Sequence, residues 1–115
     1  MENSEKSKLI FVSSPYSDDP DEGTKMARRY CRIVTDQGHI PFAPHLIYTQ
    51  FLDDSNENER KIGIAAGLAF LGKCDELWAF GENMSRGMKL EINEAIRLGL
   101  PVLYLDKNGE RGIRV

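Results

Sequence analysis

Short apolar runs alternate with helix-patterned segments along the chain, and this alternation constrains the fold most. The runs KLIFVSS, HIPFAP, DELWAFG and PVLYL are rich in β-branched and aromatic residues and are bounded by turn formers, as buried strands are. Helical spacing recurs between them, in DEGTKMARRYCRIVTDQG, NERKIGIAAGLAFLGK and SRGMKLEINEAIRLG. Continuously apolar strands separated by helices predict a parallel sheet covered on both faces. We therefore predict an α/β fold, a small flavodoxin-like (Rossmann-like) three-layer sandwich with strand order 2-1-3-4.

Local signals refine this prediction. Gly38 and Gly99 follow helical patterns and are expected to end them. The segment HLIYTQFLDDSNEN has no clear periodicity, so we expect an irregular loop there. Trp78 is expected in the core, and Asp75 is expected to cap local backbone. The apolar side of the last helix is expected to carry Met88, Ile92, Ala95, Ile96 and Leu98.

Length and composition limit the classes of protein to consider. The 115 residues fit one domain over 1–115, with flexible ends expected at 1–7 and about 107–115. The net charge of −3 argues against a nucleic acid polymer or an anionic membrane as partner, since both attract basic surfaces. Cys31 and Cys74 are far apart and without the closely spaced partners that a structural metal site needs, so we expect reduced thiols and a cytoplasmic protein.

The sequence carries none of the common cofactor signatures. It has no glycine-rich dinucleotide fingerprint, no phosphate-binding P-loop and no nucleophile-elbow serine. We therefore expect no cofactor and no metal.

The predicted topology indicates where a ligand would bind. In such sheets the site lies beyond the carboxyl ends of the strands, where the winding reverses, here between the first and third strands. The loops leaving these strands are SSPYSDD and GENMSRGM, and APHL lies on the same rim.

The stretch SRGMKLE places a possible reaction centre at that rim. Ser85 is expected to cap the helix that follows, which puts Glu91 in its second turn and able to face the crevice. A carboxylate there is either a nucleophile or general base, or a solvated helix glutamate favoured by the helix dipole. Ser85 and Gly87 can likewise surround an anion or form an ordinary helix start, with Arg86 supplying positive charge.

The opposite wall of the crevice offers further candidates. Tyr16 can stack on a base or donate its hydroxyl to a sugar, or it can be a turn residue with a partly buried ring. His45 is either a structural histidine or a ligand contact, since it lies at the end of a strand. The residues expected to contact a substrate are Ser13, Ser14, Pro15, His45, Ser85, Arg86, Gly87 and Met88.

Several of these segments together resemble a known family. FVSSPYS, GHIPFAPHL, KCDELWAFG and SRGMKLEINEAIRLGLPV are similar to the nucleoside 2-deoxyribosyltransferase-like superfamily, most of all to its small bacterial and phage branch. In the characterised members a glutamate in a Ser/Asp-x-Gly-x-x-x-Glu pattern attacks the anomeric carbon. The matching positions here are Ser85, Gly87 and Glu91.

The resemblance implies roles for these residues. Glu91 would be the nucleophile, Ser85 would contact a 5′-phosphate as in nucleotide-preferring members, and Tyr16 would orient Glu91 or line the sugar pocket. The sequence departs from the family in AAGLAFLG, where many members carry an aspartate that assists protonation of the leaving base, and at Lys89, often glycine in the glycosidases.

The resemblance therefore implies cleavage or transfer at the N-glycosidic bond of a nucleoside or nucleotide. The partner would be that small molecule, and relatives that build the pocket across subunits imply a homo-oligomer. The alternative is non-catalytic binding of a nucleotide-derived signal, for example an NAD-derived or cyclic ADP-ribose nucleotide, which the missing aspartate favours.

Overall fold

The computed structural model describes residues 7–15 and 20–111. Their secondary structure alternates as the sequence predicts. In chain order the elements are β1 (Leu9–Ser13), α1 (Pro20–Asp36), β2 (Ile40–Phe42), α2 (Pro44–Ile47), a 3-10 helix (Tyr48–Gln50), α3 (Glu57–Leu71), β3 (Glu76–Phe80), α4 (Arg86–Leu98) and β4 (Val102–Leu105).

The four strands form one parallel sheet in the order β2-β1-β3-β4, which confirms the predicted fold class and topology. The register aligns Phe11 of β1 with Phe42 of β2 on one side and with Leu77 of β3 on the other. The chain winds from β1 to β2 in one direction and returns across β1 to β3, so the reversal lies between β1 and β3.

The two faces of the sheet carry separate cores, because side chains alternate along each strand. Ile10 and Val12 belong to one core together with Tyr30 of α1. Phe11 belongs to the other, together with Met88 and Ile92 of α4. The residue after Val12 is Ser13, which the alternation directs towards the α4 side. It is fully buried.

The prediction of an irregular loop after β2 is wrong in its first half. Residues Pro44–Ile47 form a short helix and Tyr48–Gln50 a 3-10 helix. Proline is favoured at the first helical position because an N–H there would have no intrahelical acceptor, so its absence removes no hydrogen bond. Helix α3 packs against this segment through small residues: a side-chain carbon at Gly67 would lie only 3.2 Å from Pro44.

The apolar side of α4 is narrower than predicted. Met88, Ile92 and Ala95 are buried, whereas Ile96 and Leu98 are exposed. Ile96 directly follows the buried Ala95, so about 100° of helical rotation turns its side chain away from the sheet. Leu98 is the last residue of α4 and is 39% exposed.

Other local predictions are confirmed. Trp78 is buried, the Asp75 carboxylate accepts a hydrogen bond from the Leu9 backbone N–H at 2.8 Å, and both cysteines are free thiols. Gly38 and Gly99 have positive φ angles and follow the ends of α1 and α4. Within the described ranges, no helix is both long and apolar enough to cross a membrane.

Candidate functional site

An open cleft with a cavity volume of about 100 Å³ lies at the carboxyl ends of β1 and β3, where the winding reverses. One wall consists of the start of α4, and the facing wall of α2, the 3-10 helix and the first half of α3. Sixteen residues line it: Val12, Ser14, Pro44, His45, Tyr48, Thr49, Leu52, Asp54, Glu59, Arg60, Gly63, Ile64, Ser85, Gly87, Met88 and Glu91.

Helix α4 directs Glu91 into the cleft. Ser85 has extended backbone and its Oγ accepts a hydrogen bond from the Met88 backbone N–H at 3.2 Å, so the helix begins at the following residue. Met88, Glu91 and Ala95 then follow at helical spacing on the side of α4 that faces the sheet. Glu91 therefore points back over the end of β1 and not into solvent.

Ser13 anchors the Glu91 carboxylate through a hydrogen bond. Its hydroxyl donates a hydrogen bond to Glu91 Oε1 at 2.6 Å, and Ser13 itself has no solvent exposure. A hydroxyl donor to a carboxylate makes a short, charge-assisted hydrogen bond. This bond fixes the position of one carboxylate oxygen at the end of β1.

The surroundings of Glu91 change the pKa of its carboxyl. Burial raises the pKa of the Glu91 carboxyl from an ordinary 4.5 to about 7, and the hydrogen bond from Ser13 partly opposes this effect. A carboxyl with such a pKa holds both protonation states at neutral pH, which is the range in which a base or nucleophile is useful.

His45 lies on the facing wall. Its backbone oxygen accepts a hydrogen bond from the Thr49 hydroxyl, which ties α2 to the 3-10 helix. Burial lowers the pKa of the His45 imidazole below its ordinary 6.5, and the negative charge of Asp54 acts in the opposite direction. The imidazole is therefore mainly neutral at neutral pH and can both donate and accept a hydrogen bond.

The structure brings together six of the residues predicted from the sequence: Ser14, His45, Ser85, Gly87, Met88 and Glu91 all line the cleft. Ser13 lies behind Glu91 and does not line it. Pro15 packs near Gly81, where an added side-chain carbon would meet its ring at 3.0 Å. Arg86 is exposed and does not line the cleft, and Tyr16 lies outside the described residues.

Most residues of the facing wall were not predicted from the sequence. Tyr48, Leu52 and Asp54 lie in the segment predicted as a loop, and Glu59 and Arg60 lie in the first turn of α3, where charged residues are ordinarily solvated. The signal that points to them is the APHL motif on the same rim, because the chain that follows it must pass the carboxyl end of β1.

These groups give the cleft a defined chemical character. It has a partly buried carboxylate on one wall, an imidazole and further charged groups on the other, and apolar surface from Val12, Leu52 and Ile64. This arrangement suits a small molecule with a planar apolar part and a centre that a carboxylate can attack. Among the residues that the structure describes, no group of three His, Cys, Asp or Glu side chains is arranged to hold a metal ion.

Comparison with known proteins agrees with the fold. The model of a family described as "Domain of unknown function (DUF7768)" matches residues 8–105. A solved structure of a 2-deoxyribosyltransferase from the psychrotolerant bacterium Bacillus psychrosaccharolyticus is similar, with a TM-score of 0.68 and 21% sequence identity over 91% of this chain and 77% of that one. No curated protein matches the chain.

Proposed function

Because the chain belongs to DUF7768, a family whose description gives no activity, we propose a function from the cleft itself: cleavage or transfer at the N-glycosidic bond of a nucleoside or nucleotide, with Glu91 as nucleophile. The observation that carries this proposal is the position of Glu91. Its carboxylate lies partly buried at the sheet switch point, lines the cleft and is anchored by Ser13.

The chemistry of this bond needs such a carboxylate. As the bond from the anomeric carbon to the base breaks, positive charge develops on the sugar carbon and ring oxygen. A carboxylate oxygen of Glu91 forms a bond to that carbon, and the electron pair of the broken bond leaves with the base. Water or a second nucleophile then attacks the same carbon and releases Glu91.

Burial makes the Glu91 carboxylate reactive in this role. A desolvated carboxylate has lost water molecules that would otherwise have to be displaced before attack, and its charge acts more strongly on a developing cation. The hydrogen bond from Ser13 occupies Oε1, which leaves Oε2 as the oxygen for attack.

The similar fold of a 2-deoxyribosyltransferase supports the proposal at the level of chemistry, since that enzyme's name describes transfer of a deoxyribosyl group and its reported use is nucleoside synthesis. Action as a homo-oligomer and assignment to the small bacterial and phage branch of the superfamily stay predictions, as does the absence of a cofactor.

Base release tests the proposal. Wild-type protein and Glu91→Gln are incubated with a panel of ribonucleosides, deoxyribonucleosides, their 5′-monophosphates and NAD-derived nucleotides, and free base is quantified by chromatography. We expect release by the wild type and none above background by the variant. Release by both proteins at equal rates would contradict the proposal.

Non-catalytic binding is a second candidate, and one observation favours it. The part of α3 that lines the cleft beyond Arg60 consists of Gly63 and Ile64, which offer no proton to a leaving base. A nucleotide that raises the melting temperature of the wild type and is recovered intact, with no base released from any compound in the panel, would support this candidate.

A further inference from the structure

The charges around the cleft are unbalanced. Three carboxylates line it, from Asp54, Glu59 and Glu91, against the single guanidinium of Arg60. His45 adds no full charge at neutral pH, because burial lowers the pKa of its imidazole. With Glu91 ionised, the described lining therefore carries two net negative charges.

Cations on α4 do not correct the imbalance. Arg86 and Lys89 of α4 are both exposed, and neither lines the cleft. Among the described lining side chains, a phosphate would meet more negative than positive charge, while the N-terminus of α4 would act in the opposite direction.

From this charge distribution we infer that the cleft selects unphosphorylated nucleosides whose base carries a positive charge, such as a pyridinium nucleoside. The inference rests on the proposed function for its chemistry. A cleft lined by one sign of charge concentrates ligands of the opposite sign and excludes those of the same sign. Tyr48 also lines the facing wall, and aromatic side chains are of the kind that attracts cations.

A cationic base also fits the groups that are present. When Glu91 bonds to the anomeric carbon, the electron pair of the breaking carbon–nitrogen bond neutralises the positive charge on the base. The base then leaves as a neutral molecule and takes up no proton. A neutral base would need a proton in the same step, whereas the facing wall presents a mainly neutral imidazole and two carboxylates, beside the Arg60 guanidinium and the hydroxyls of Tyr48 and Thr49.

Glu91 responds to the charge of the ligand. Its carboxyl has a pKa of about 7, so a bound cation favours the carboxylate and a bound phosphate favours the protonated form. Binding of a cationic nucleoside would thus increase the ionised fraction of the Glu91 carboxyl, and binding of a mononucleotide would decrease it.

Three related compounds test the inference with little change in shape. Nicotinamide riboside carries the cationic base, its 1,4-dihydro form is neutral, and nicotinamide mononucleotide adds a 5′-phosphate. We expect the wild type at low salt to bind nicotinamide riboside at least about tenfold more tightly than either of the others. The preference should weaken as salt is raised, because counterions screen the field. Equal binding of the three, or tighter binding of the mononucleotide, would overturn the inference.

Matched variants show whether the cleft charges cause the preference. Asp54→Asn and Glu59→Gln each remove one lining charge, and the glutamine keeps an oxygen to accept the hydrogen bond that Glu59 takes from the Asp53 backbone N–H. Each should reduce the preference about threefold or more. Glu57→Gln removes a carboxylate from the same turn of α3, but Glu57 is 84% exposed and lies outside the cleft, so the preference should not change. An equal change in all three would overturn the inference.

Base release separates this inference from the proposed function. If nicotinamide riboside binds with the expected preference but the wild type releases no base from any nucleoside, the proposed function fails and the charge selectivity stands. If neutral nucleosides bind and lose their base as readily as nicotinamide riboside, the inference fails and the proposed function stands.

Discussion

The hydroxyl of Ser13 and the carboxylate of Glu91 meet at 2.6 Å, although 78 positions separate them in the sequence. One lies at the end of β1 and the other in the second turn of α4, so their contact depends on the parallel sheet and on the packing of α4 against it.

Ser13→Ala should move the pH dependence of catalysis. The wild-type kcat/KM should rise with pH through about 7, because the attacking form of Glu91 is ionised and its pKa is about 7. The hydroxyl of Ser13 lowers this pKa, and a hydrogen bond to a charged group is worth about 1.5–3 kcal/mol, so its loss should shift the rise upward by about 1–2 pH units.

Ser14→Ala is the matched control for that shift, because the neighbouring serine lines the cleft but makes no hydrogen bond to Glu91 among the contacts found in the described residues. It should change KM and leave the pH of the rise in place. A Ser13→Ala profile that overlays the wild type would show that Ser13 does not tune Glu91.

The stability of the protein should fall with rising pH because of Glu91. Its pKa is raised on folding, so the folded state holds the proton more tightly than the unfolded state between about pH 4.5 and 7. The stabilisation is therefore present below pH 4.5 and is lost as pH rises to about 7, with a size of up to about 3 kcal/mol.

Glu91→Gln isolates this contribution, because glutamine keeps an acceptor for Ser13 and does not titrate. The difference in free energy of unfolding between the variant and the wild type, from urea titrations, should grow in favour of the variant across that window and then level off. A difference that is constant from pH 4.5 to 8 would contradict the raised pKa.

Ser85 should stabilise α4 as its N-cap, apart from any contact with a substrate. Ser85→Ala removes the acceptor for the Met88 backbone N–H and should lower the free energy of unfolding by about 1 kcal/mol. Ser85→Asp retains a side-chain acceptor at the N-cap and should remain within about 0.5 kcal/mol of the wild type. Urea unfolding measures both values. Equal destabilisation of the two variants would contradict the N-cap role of Ser85.

Gly81 should be the more sensitive of two glycines with positive φ angles. Its φ is 92°, and an added side-chain carbon would lie 3.0 Å from the Pro15 ring, whereas at Gly99, with φ of 79°, nothing lies within 4 Å. Both alanine variants incur about 1–2 kcal/mol for the left-handed backbone, but only Gly81→Ala adds a steric conflict. In thermal unfolding, Gly81→Ala should therefore have a lower melting temperature than Gly99→Ala. The reverse order would contradict the geometry.

The sheet and one wall of the cleft were predictable from the sequence because their signals are local. LIFVS and ELWAF are too apolar to lie anywhere but inside a covered sheet, and the spacing from Ser85 to Glu91 follows from helix geometry. The reversal of the winding then places the two strand ends side by side.

The other wall was not predictable because its residues depend on long-range packing. The segment containing Tyr48 and Leu52 has no periodicity, and it is fixed by contact with Gly63 of α3, where a side-chain carbon would lie 3.6 Å from both. Glu59 and Arg60 have the pattern of an exposed first turn, and only the position of α3 over the cleft brings them to it.

The most direct test of the central claim is detection of a glycosyl group on Glu91. Wild-type protein is mixed with the compound from the panel that releases base fastest, quenched in acid within milliseconds to seconds, digested and analysed by mass spectrometry. We expect the mass of the sugar on the peptide that contains Glu91, and no such mass with Glu91→Gln. Base release with the sugar on another residue, or undiminished release by Glu91→Gln, would contradict the assignment of Glu91 as nucleophile.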